Sequence, residues 1–174
     1  RMIEMTSPRP LRLFDTFCGR PAKGPQDTGD GKGLFAETSL ELVRSRCPQP
    51  FIQFHPGLVP ETFVGLESSI IAFAYIDLDL YQGIKDALAF IVPRLASGGV
   101  CVVDDYGEPA WGGAKTAVQE SGWPYEIMGI QAIIRRRATS MVKVIHTGPP
   151  MWPRYLGDGK FQGDRRPFGM EGYD

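Results

Sequence analysis

Two pairs of aspartates are the residues of this chain best suited to chemistry. Asp77 and Asp79 follow the apolar residues 70–76, and Asp104 and Asp105 follow the apolar residues 100–103. Carboxylate oxygens are hard ligands that suit Mg²⁺, Ca²⁺ or Mn²⁺. If the four carboxylates converge, their mutual repulsion needs a cation or a proton to offset it. The pairs therefore predict a metal site or an acid–base site.

The spacing within each pair limits what it can do. In an extended backbone alternate side chains lie on the same side, so Asp77 and Asp79 can reach one ion together. The adjacent Asp104 and Asp105 can do so only if a turn begins there. A structural alternative stays open, in which Asp104 and Asp105 form a turn or an N-cap and Asp79 caps the next helix.

The surrounding pattern predicts the elements that position these acids. Short apolar segments bounded by turn residues indicate strands buried on both faces, as in a parallel sheet. Further strands are predicted at 11–15, 51–55, 125–130, 131–137 and 141–146, and helices at 38–47, 82–96 and 113–120. Pro93 should kink or shorten the second helix, and Ser97-Gly98-Gly99 should end it. Alternating strands and helices favour a parallel sheet, with ligands bound beyond the carboxyl ends of its strands.

Composition excludes several classes of function. The 174 residues are 43% hydrophobic and 22% charged, which fits one globular domain. The net charge of −1 gives no reason to expect a nucleic-acid partner. No apolar stretch approaches the roughly 20 residues of a membrane span, so no membrane partner is expected. Three cysteines without a Cys-x-x-Cys motif predict neither a disulfide scaffold nor a zinc site, and a cytoplasmic setting is expected.

Several segments together resemble the macrocin O-methyltransferase (TylF/MycF-like) family. They are AYIDLDLY at 74–81, KDAL at 85–88, PRL at 93–95 with the following Gly98-Gly99, VVDDYG at 102–107, LFDTF at 13–17 with Gly19 and Pro21, and GLFAETS at 33–39. The resemblance covers about residues 11–137. It implies an enzyme that uses S-adenosylmethionine and Mg²⁺ to methylate a hydroxyl of a small molecule, including sugar hydroxyls of antibiotics.

The resemblance also implies a fold. An α/β, Rossmann-like domain of the class I methyltransferase type is expected over residues 1–147, with a mostly parallel sheet and helices on both faces. An irregular tail is expected over 148–174. Family members carry a first strand and a Gly-rich loop before the strand that ends in Asp15, so this domain is expected to be truncated at its N-terminus. The glycines at 29–33 are expected to form a flexible loop instead.

The resemblance assigns roles to individual residues. Asp79 is implied as the general base, the metal ligands are implied to be Asp77, Asp104 and Asp105, and the cofactor-binding residues are implied to be Asp15, Thr16 and Gly57. Asp15 would accept hydrogen bonds from the cofactor ribose. A homo-oligomer is possible.

Other residues and functions stay open beside these. His55 and Lys115 are secondary candidates for the same site, with a structural or solvent-facing position as the alternative. One rival function is a glycosyltransferase in which Asp77 and Asp79 hold Mn²⁺ and a nucleotide sugar. The other is a degenerate, non-catalytic domain that keeps only the fold.

Overall fold

A computed structural model describes residues 9–28 and 33–137, together with two short strands further along the chain. The chain divides into two compact units, 1–139 and 140–174. The strands and helices of the first unit are, in order, β1 (Leu11–Asp15), α1 (Leu40–Arg46), β2 (Ile52–Pro56), β3 (Ile71–Ile76), α2 (Tyr81–Ile91), β4 (Leu95–Val103), α3 (Gly112–Glu120), β5 (Tyr125–Met128) and β6 (Gln131–Arg135).

The second unit contributes one small antiparallel pair, β7 (Arg154–Tyr155) with β8 (Phe161–Gln162). The strand predicted at 141–146 and the predicted domain boundary at 147/148 lie outside the described residues. Within the part of the chain that the structure describes, no helix is both long and apolar enough to cross a membrane.

The first unit contains two sheets. β1 and β2 pair in parallel, with Leu13 opposite Phe54 and Asp15 opposite Pro56. The second sheet has the order β3-β4-β6-β5, in which β3 and β4 are parallel and β6 and β5 add antiparallel strands. Parallel strands joined through α1 and α2 confirm the predicted α/β, Rossmann-like fold, and the antiparallel strands form one edge of it.

The core lies between the second sheet and the helices α2 and α3. The central strand β4 contributes Cys101 and Val103, both fully buried, and the helices contribute Ile84, Leu88 and Val118 at 1% exposure or less. Side chains of this kind recur every three or four residues along α2, which is why that segment folds as an amphipathic helix. Burial of each large side chain stabilises the fold by roughly 1.5–3 kcal/mol.

The helix predicted at 82–96 is shorter than expected. α2 ends at Ile91, a 3-10 turn covers Val92–Arg94, and β4 begins at Leu95. Pro93 has no N–H to continue the helical ladder, which is why the helix stops there. Gly98 and Gly99, predicted to end the helix, lie inside β4, where Gly98 has a φ of 76° and donates its N–H to Arg136 O at 3.0 Å.

The first helix begins one residue later than its predicted capping box. Ser39 is the N-cap, and its Oγ accepts a hydrogen bond from Leu42 N at 3.1 Å. α1 contains no fully buried residue. Its Val43 is half-buried and lines a cleft together with residues of β1, so α1 borders that cleft and adds no side chain to the hydrophobic core.

Candidate functional site

The aspartates lie where β3 and β4 end. Asp77 follows the last residue of β3 directly, and Asp104 follows the last residue of β4. Asp104 N donates to Ile76 O at 2.8 Å, which continues the parallel ladder past the end of the strands. Asp79 and Asp105 then take left-handed backbone conformations, with φ of 57° and 58°. These turns bring the carboxylates of Asp79 and Asp105 close to that of Asp77. Backbone strain of this kind is common at functional sites.

Three carboxylates form one group, which we call the acidic cluster: Asp77, Asp79 and Asp105. One carboxylate oxygen from each residue lies within 4.8 Å of the others. Asp77 is exposed, whereas Asp79 and Asp105 are half-buried. This spacing lets the three oxygens meet a single small cation.

The electrostatics of the acidic cluster are those of crowded like charges. Burial, a hydrogen bond with Asp79 and the charges of Asp79, Asp104 and Asp77 raise the pKa of Asp105 to about 7. Burial raises the pKa of Asp77 as well, followed by the charges of Asp104, Asp79 and Asp15. At neutral pH the Asp105 carboxyl is therefore protonated in about half of the molecules, and a bound cation would displace that proton.

Asp104 makes different contacts from the other predicted metal ligands. Its Oδ2 accepts a hydrogen bond from Tyr75 Oη at 2.5 Å, and its Oδ1 accepts one from Gln131 Nε2 at 3.3 Å. Gln131 Nε2 also donates to Tyr75 Oη at 2.9 Å. The Tyr75 hydrogen bond holds the pKa of Asp104 below its usual range. The structure thus places Asp79 beside Asp77 and Asp105, two of the three predicted ligands. The third, Asp104, is hydrogen-bonded to Tyr75 instead.

The donor set of the acidic cluster fits Mg²⁺. All of its candidate ligand atoms are carboxylate oxygens, and Mg²⁺ is commonly bound through a few carboxylates while it retains several waters. Burial and the neighbouring carboxylates both disfavour the charged form of Asp105 and raise its pKa, and a bound cation would offset both effects. Within the described residues, neither Asp77 nor Asp105 forms an ion pair with a basic side chain.

Asp15, Thr16 and Gly57 lie together where β1 and β2 end. Asp15 Oδ1 accepts a hydrogen bond from Phe17 N at 2.7 Å, and Thr16 Oγ1 donates to Gly19 O at 2.7 Å. Gly57 N donates to Asp15 O at 2.9 Å, and its φ of 138° favours glycine. A Cβ on Gly57 would lie 2.9 Å from Thr62 Cγ2. These contacts fix the Asp15 carboxylate at the end of its strand.

A cleft of about 290 Å³ separates the ends of β1 and β3. Its acidic lining residues are Asp15 and Asp77, and the rest of its wall is mostly apolar, including Phe14, Val59 and Phe63. The Asp15 carboxylate at the strand end is suited to accept hydrogen bonds from the hydroxyls of a ribose. Asp15 therefore fits the ribose of S-adenosylmethionine, and the acidic cluster fits Mg²⁺.

The secondary candidates separate in the structure. The His55 ring stacks on Phe14 with 4.5 Å between ring centroids, and burial followed by the Arg12 charge lowers its pKa. Its Nε2 is buried and has no hydrogen-bond partner among the described residues. Lys115 is exposed on α3. His55 therefore borders the β1–β2 end of the site, whereas Lys115 faces solvent.

The loop after β1 supplies contacts that the sequence did not indicate. Asp27 Oδ1 accepts a hydrogen bond from Tyr81 N at 2.7 Å and so caps α2, a role the structural alternative gave to Asp79. Thr28 Oγ1 donates to Ala110 O at 3.0 Å and accepts from Gly112 N at 3.0 Å, at the start of α3. The loop is therefore hydrogen-bonded to the first turns of α2 and α3, which pack on the second sheet.

Comparisons with known proteins identify the family of this chain. The family described as macrocin-O-methyltransferase (TylF) matches residues 3–126. A relative from Streptomyces olivaceus, 8-demethyl-8-(2,3-dimethoxy-alpha-L-rhamnosyl)-tetracenomycin-C 4'-O-methyltransferase, is 38% identical over 111 residues, which cover 56% of this chain and 42% of that protein. The chain thus spans less than half the length of this relative.

Two solved structures share the fold. The O-methyltransferase NovP superimposes with a TM-score of 0.62 at 24% identity, and CalS11, a calicheamicin methyltransferase, with a TM-score of 0.60 at 24% identity. Each match covers 74% of this chain and 60% of the other. Since the family match extends over most of the residues and the fold agrees, the chain belongs to the macrocin-O-methyltransferase (TylF) family.

Proposed function

We propose that this chain carries the metal ligands and the general base of an O-methyltransferase that uses S-adenosylmethionine and Mg²⁺. The observation that carries the proposal is the acidic cluster, whose three carboxylate oxygens lie within 4.8 Å of one another at the ends of β3 and β4. The membership of the family and the adjoining cleft support the same reaction. The proposed acceptor is a hydroxyl of a small molecule.

A sugar hydroxyl of a glycosylated antibiotic is the acceptor we favour. The relative from Streptomyces olivaceus is named as a methyltransferase for the 4'-hydroxyl of a rhamnosyl tetracenomycin, and CalS11 is described as a calicheamicin methyltransferase. The site in this chain is consistent with such an acceptor, because Asp77 is exposed and the cleft opens beside it.

In the proposed reaction each acid has its own task. Asp77 and Asp105 would hold the cation, with Asp104, which accepts a hydrogen bond from Tyr75, as a further ligand. A bound cation lowers the pKa of the hydroxyl it contacts and orients it. S-adenosylmethionine supplies an electrophilic methyl group. Asp79 would accept the hydroxyl proton as the oxygen–methyl bond forms and the sulfur–methyl bond breaks, which leaves S-adenosylhomocysteine.

The cleft residues place the methyl donor. Asp15 would accept hydrogen bonds from the ribose hydroxyls, while Thr16 and Gly57 keep the end of β1 in position for that contact. Apolar side chains of the cleft such as Phe14 and Val59 would keep water away from the cofactor. Exclusion of water strengthens the electrostatic interactions at the reacting atoms.

Calorimetric titration tests the proposal. S-adenosylmethionine is titrated into the protein with Mg²⁺ and with EDTA, and Mg²⁺ is titrated alone. We expect saturable heat for Mg²⁺ that is lost in Asp77→Asn, and saturable heat for the cofactor that is lost on substitution of Asp15 by Ala. The absence of heat and of any thermal shift for both ligands would contradict an enzymatic role and favour a non-catalytic domain.

A further inference from the structure

Arg20 is a buried cation beside the acidic cluster. The residue is 8% exposed, and its Nη1 lies 3.5 Å from Asp79 Oδ2. Its guanidinium carbon lies 4.3 Å from the centre of the Trp111 ring. Because both sides of this contact are largely desolvated, the pair is screened less than a surface ion pair.

The backbone of Arg20 is held as firmly as its side chain. Its N–H donates to Leu34 O at 2.9 Å, and its carbonyl accepts from Gly33 N at 3.0 Å. Further along the same loop, Asp27 and Thr28 bind the first turns of α2 and α3. These hydrogen bonds therefore fix the position of the loop, and with it the position of the Arg20 guanidinium beside the acidic cluster.

Arg20 distinguishes one acid from the others. Among the described residues, Asp79 forms an ion pair, whereas neither Asp77 nor Asp105 does. An oxygen that faces a guanidinium is less available to a metal ion, because a cation approaching it must also approach the charge of Arg20. The ion pair therefore distinguishes Asp79, whose Oδ2 faces the guanidinium, from Asp77 and Asp105, although an Asp79 oxygen lies within 4.8 Å of theirs.

We propose that Arg20 is a positioning residue that keeps the Asp79 carboxylate out of the coordination sphere of the cation. Asp79 is then available to accept the proton of the substrate hydroxyl, which passes from the hydroxyl oxygen to a carboxylate oxygen. This inference rests on the proposed function, since it assigns a task to a residue of that same site. The sequence resemblance assigns no role to Arg20.

The proposal predicts a signature that a purely structural arginine does not produce. Substitution of Arg20 by Met keeps much of the aliphatic stem but removes the charge, so Asp79 becomes an additional ligand. Mg²⁺ then binds roughly tenfold more tightly, because a positive charge near the ion is lost and a ligand is gained. Methyl transfer slows at the same time, with a lower kcat and an unchanged KM for the acceptor.

The test is a Mg²⁺ titration of the whole chain by calorimetry. The variants are Arg20→Met, Arg20→Lys and the double variant Arg20→Met with Asp79→Asn. Arg20→Lys retains the charge and should bind Mg²⁺ as the wild type does. The double variant removes a neutral pair, so its Mg²⁺ affinity should stay within about threefold of wild type.

Arg94→Met is the matched control. Arg94 also lies over an aromatic ring, with its guanidinium carbon 3.9 Å from the centre of Phe90, and it belongs to the 3-10 turn that precedes β4. Like Arg20→Met, the substitution Arg94→Met removes one positive charge. Arg94 directly precedes β4, whereas Asp104 and Asp105 follow its other end. The Mg²⁺ affinity of this variant should not change.

The outcomes are distinct. If the wild type binds no Mg²⁺, the proposed function is wrong and the role of Arg20 is wrong with it. If the wild type binds Mg²⁺ but Arg20→Met binds it no more tightly, only the role of Arg20 is wrong. A loss of more than tenfold in the double variant would show that Asp79 is a ligand in the wild type, and this result also decides the question if Arg20→Met alone fails to fold.

Discussion

Replacement of Asp105 by Asn should stabilise the metal-free protein at pH 8. Burial, a hydrogen bond with Asp79 and the neighbouring carboxylates raise the pKa of Asp105 to about 7 from an ordinary 3.8, so the folded state holds its proton more tightly than the unfolded state. This contribution to stability is complete below about pH 4 and is lost as the pH rises through 7. Above pH 7 the folded protein carries a partly buried charge that its acidic neighbours repel, and Asn carries no such charge.

The magnitude follows from the size of the shift. A displacement of about three pH units corresponds to about 4 kcal/mol as a ceiling, and partial exposure and screening reduce the expected gain to about 1–2 kcal/mol. The substitution itself introduces little strain, because Asn adopts the φ of 58° at this position as readily as Asp does.

Urea unfolding in EDTA, followed by tryptophan fluorescence, measures the effect. Asp105→Asn should be more stable than wild type at pH 8 and equal to it near pH 4. Mg²⁺ should stabilise the wild type and not the variant. Asp86→Asn, which removes the same charge from α2, serves as the control. An equal stability of variant and wild type at pH 8, or an equal gain at both pH values, would refute the electrostatic reasoning.

Three further substitutions test the elements around the site. Asp27→Ala removes the cap on Tyr81 N and should lower the free energy of unfolding by about 1–2 kcal/mol, measured by urea unfolding; no change would mean that water replaces the cap. Tyr75→Phe frees Asp104 and should tighten Mg²⁺ binding about threefold by calorimetry, since no hydrogen bond is then broken; an unchanged affinity would argue against Asp104 as a ligand. Leu88→Ala, at a position 1% exposed, should cost about 2–5 kcal/mol by thermal or urea unfolding, and a cost below 1 kcal/mol would contradict the described packing.

The sequence predicted the strands well because their signal is local. Short apolar segments bounded by turn residues gave β1, β3 and the acids after them, and the alternation with helices gave the α/β fold. The end of α2 was predicted too late, since the apolar spacing continues through Leu95 although Pro93 stops the ladder. The N-cap of α1 was misplaced by one residue because Thr38 and Ser39 are both good caps.

The site was predicted only in part, because its remaining contacts join distant segments. The grouping of Asp77 and Asp105 follows from strand ends, but the φ values of Asp79 and Asp105 decide which carboxylates meet. Arg20 is 59 residues from Asp79 in the chain, and nothing in its neighbourhood marks it as buried. A charged residue in a Gly/Pro-rich loop is usually solvated, so only the folded structure reveals its role.

Methyl transfer itself tests the central claim most directly. Purified protein is incubated with S-adenosylmethionine carrying a labelled methyl group and a rhamnosyl tetracenomycin, with Mg²⁺ or with EDTA, and the product is located by mass spectrometry. The account predicts one labelled methyl group on a sugar oxygen that requires Mg²⁺, and a loss of at least about a hundredfold in rate in Asp79→Asn. Equal product in EDTA, or an undiminished rate in Asp79→Asn, would contradict it.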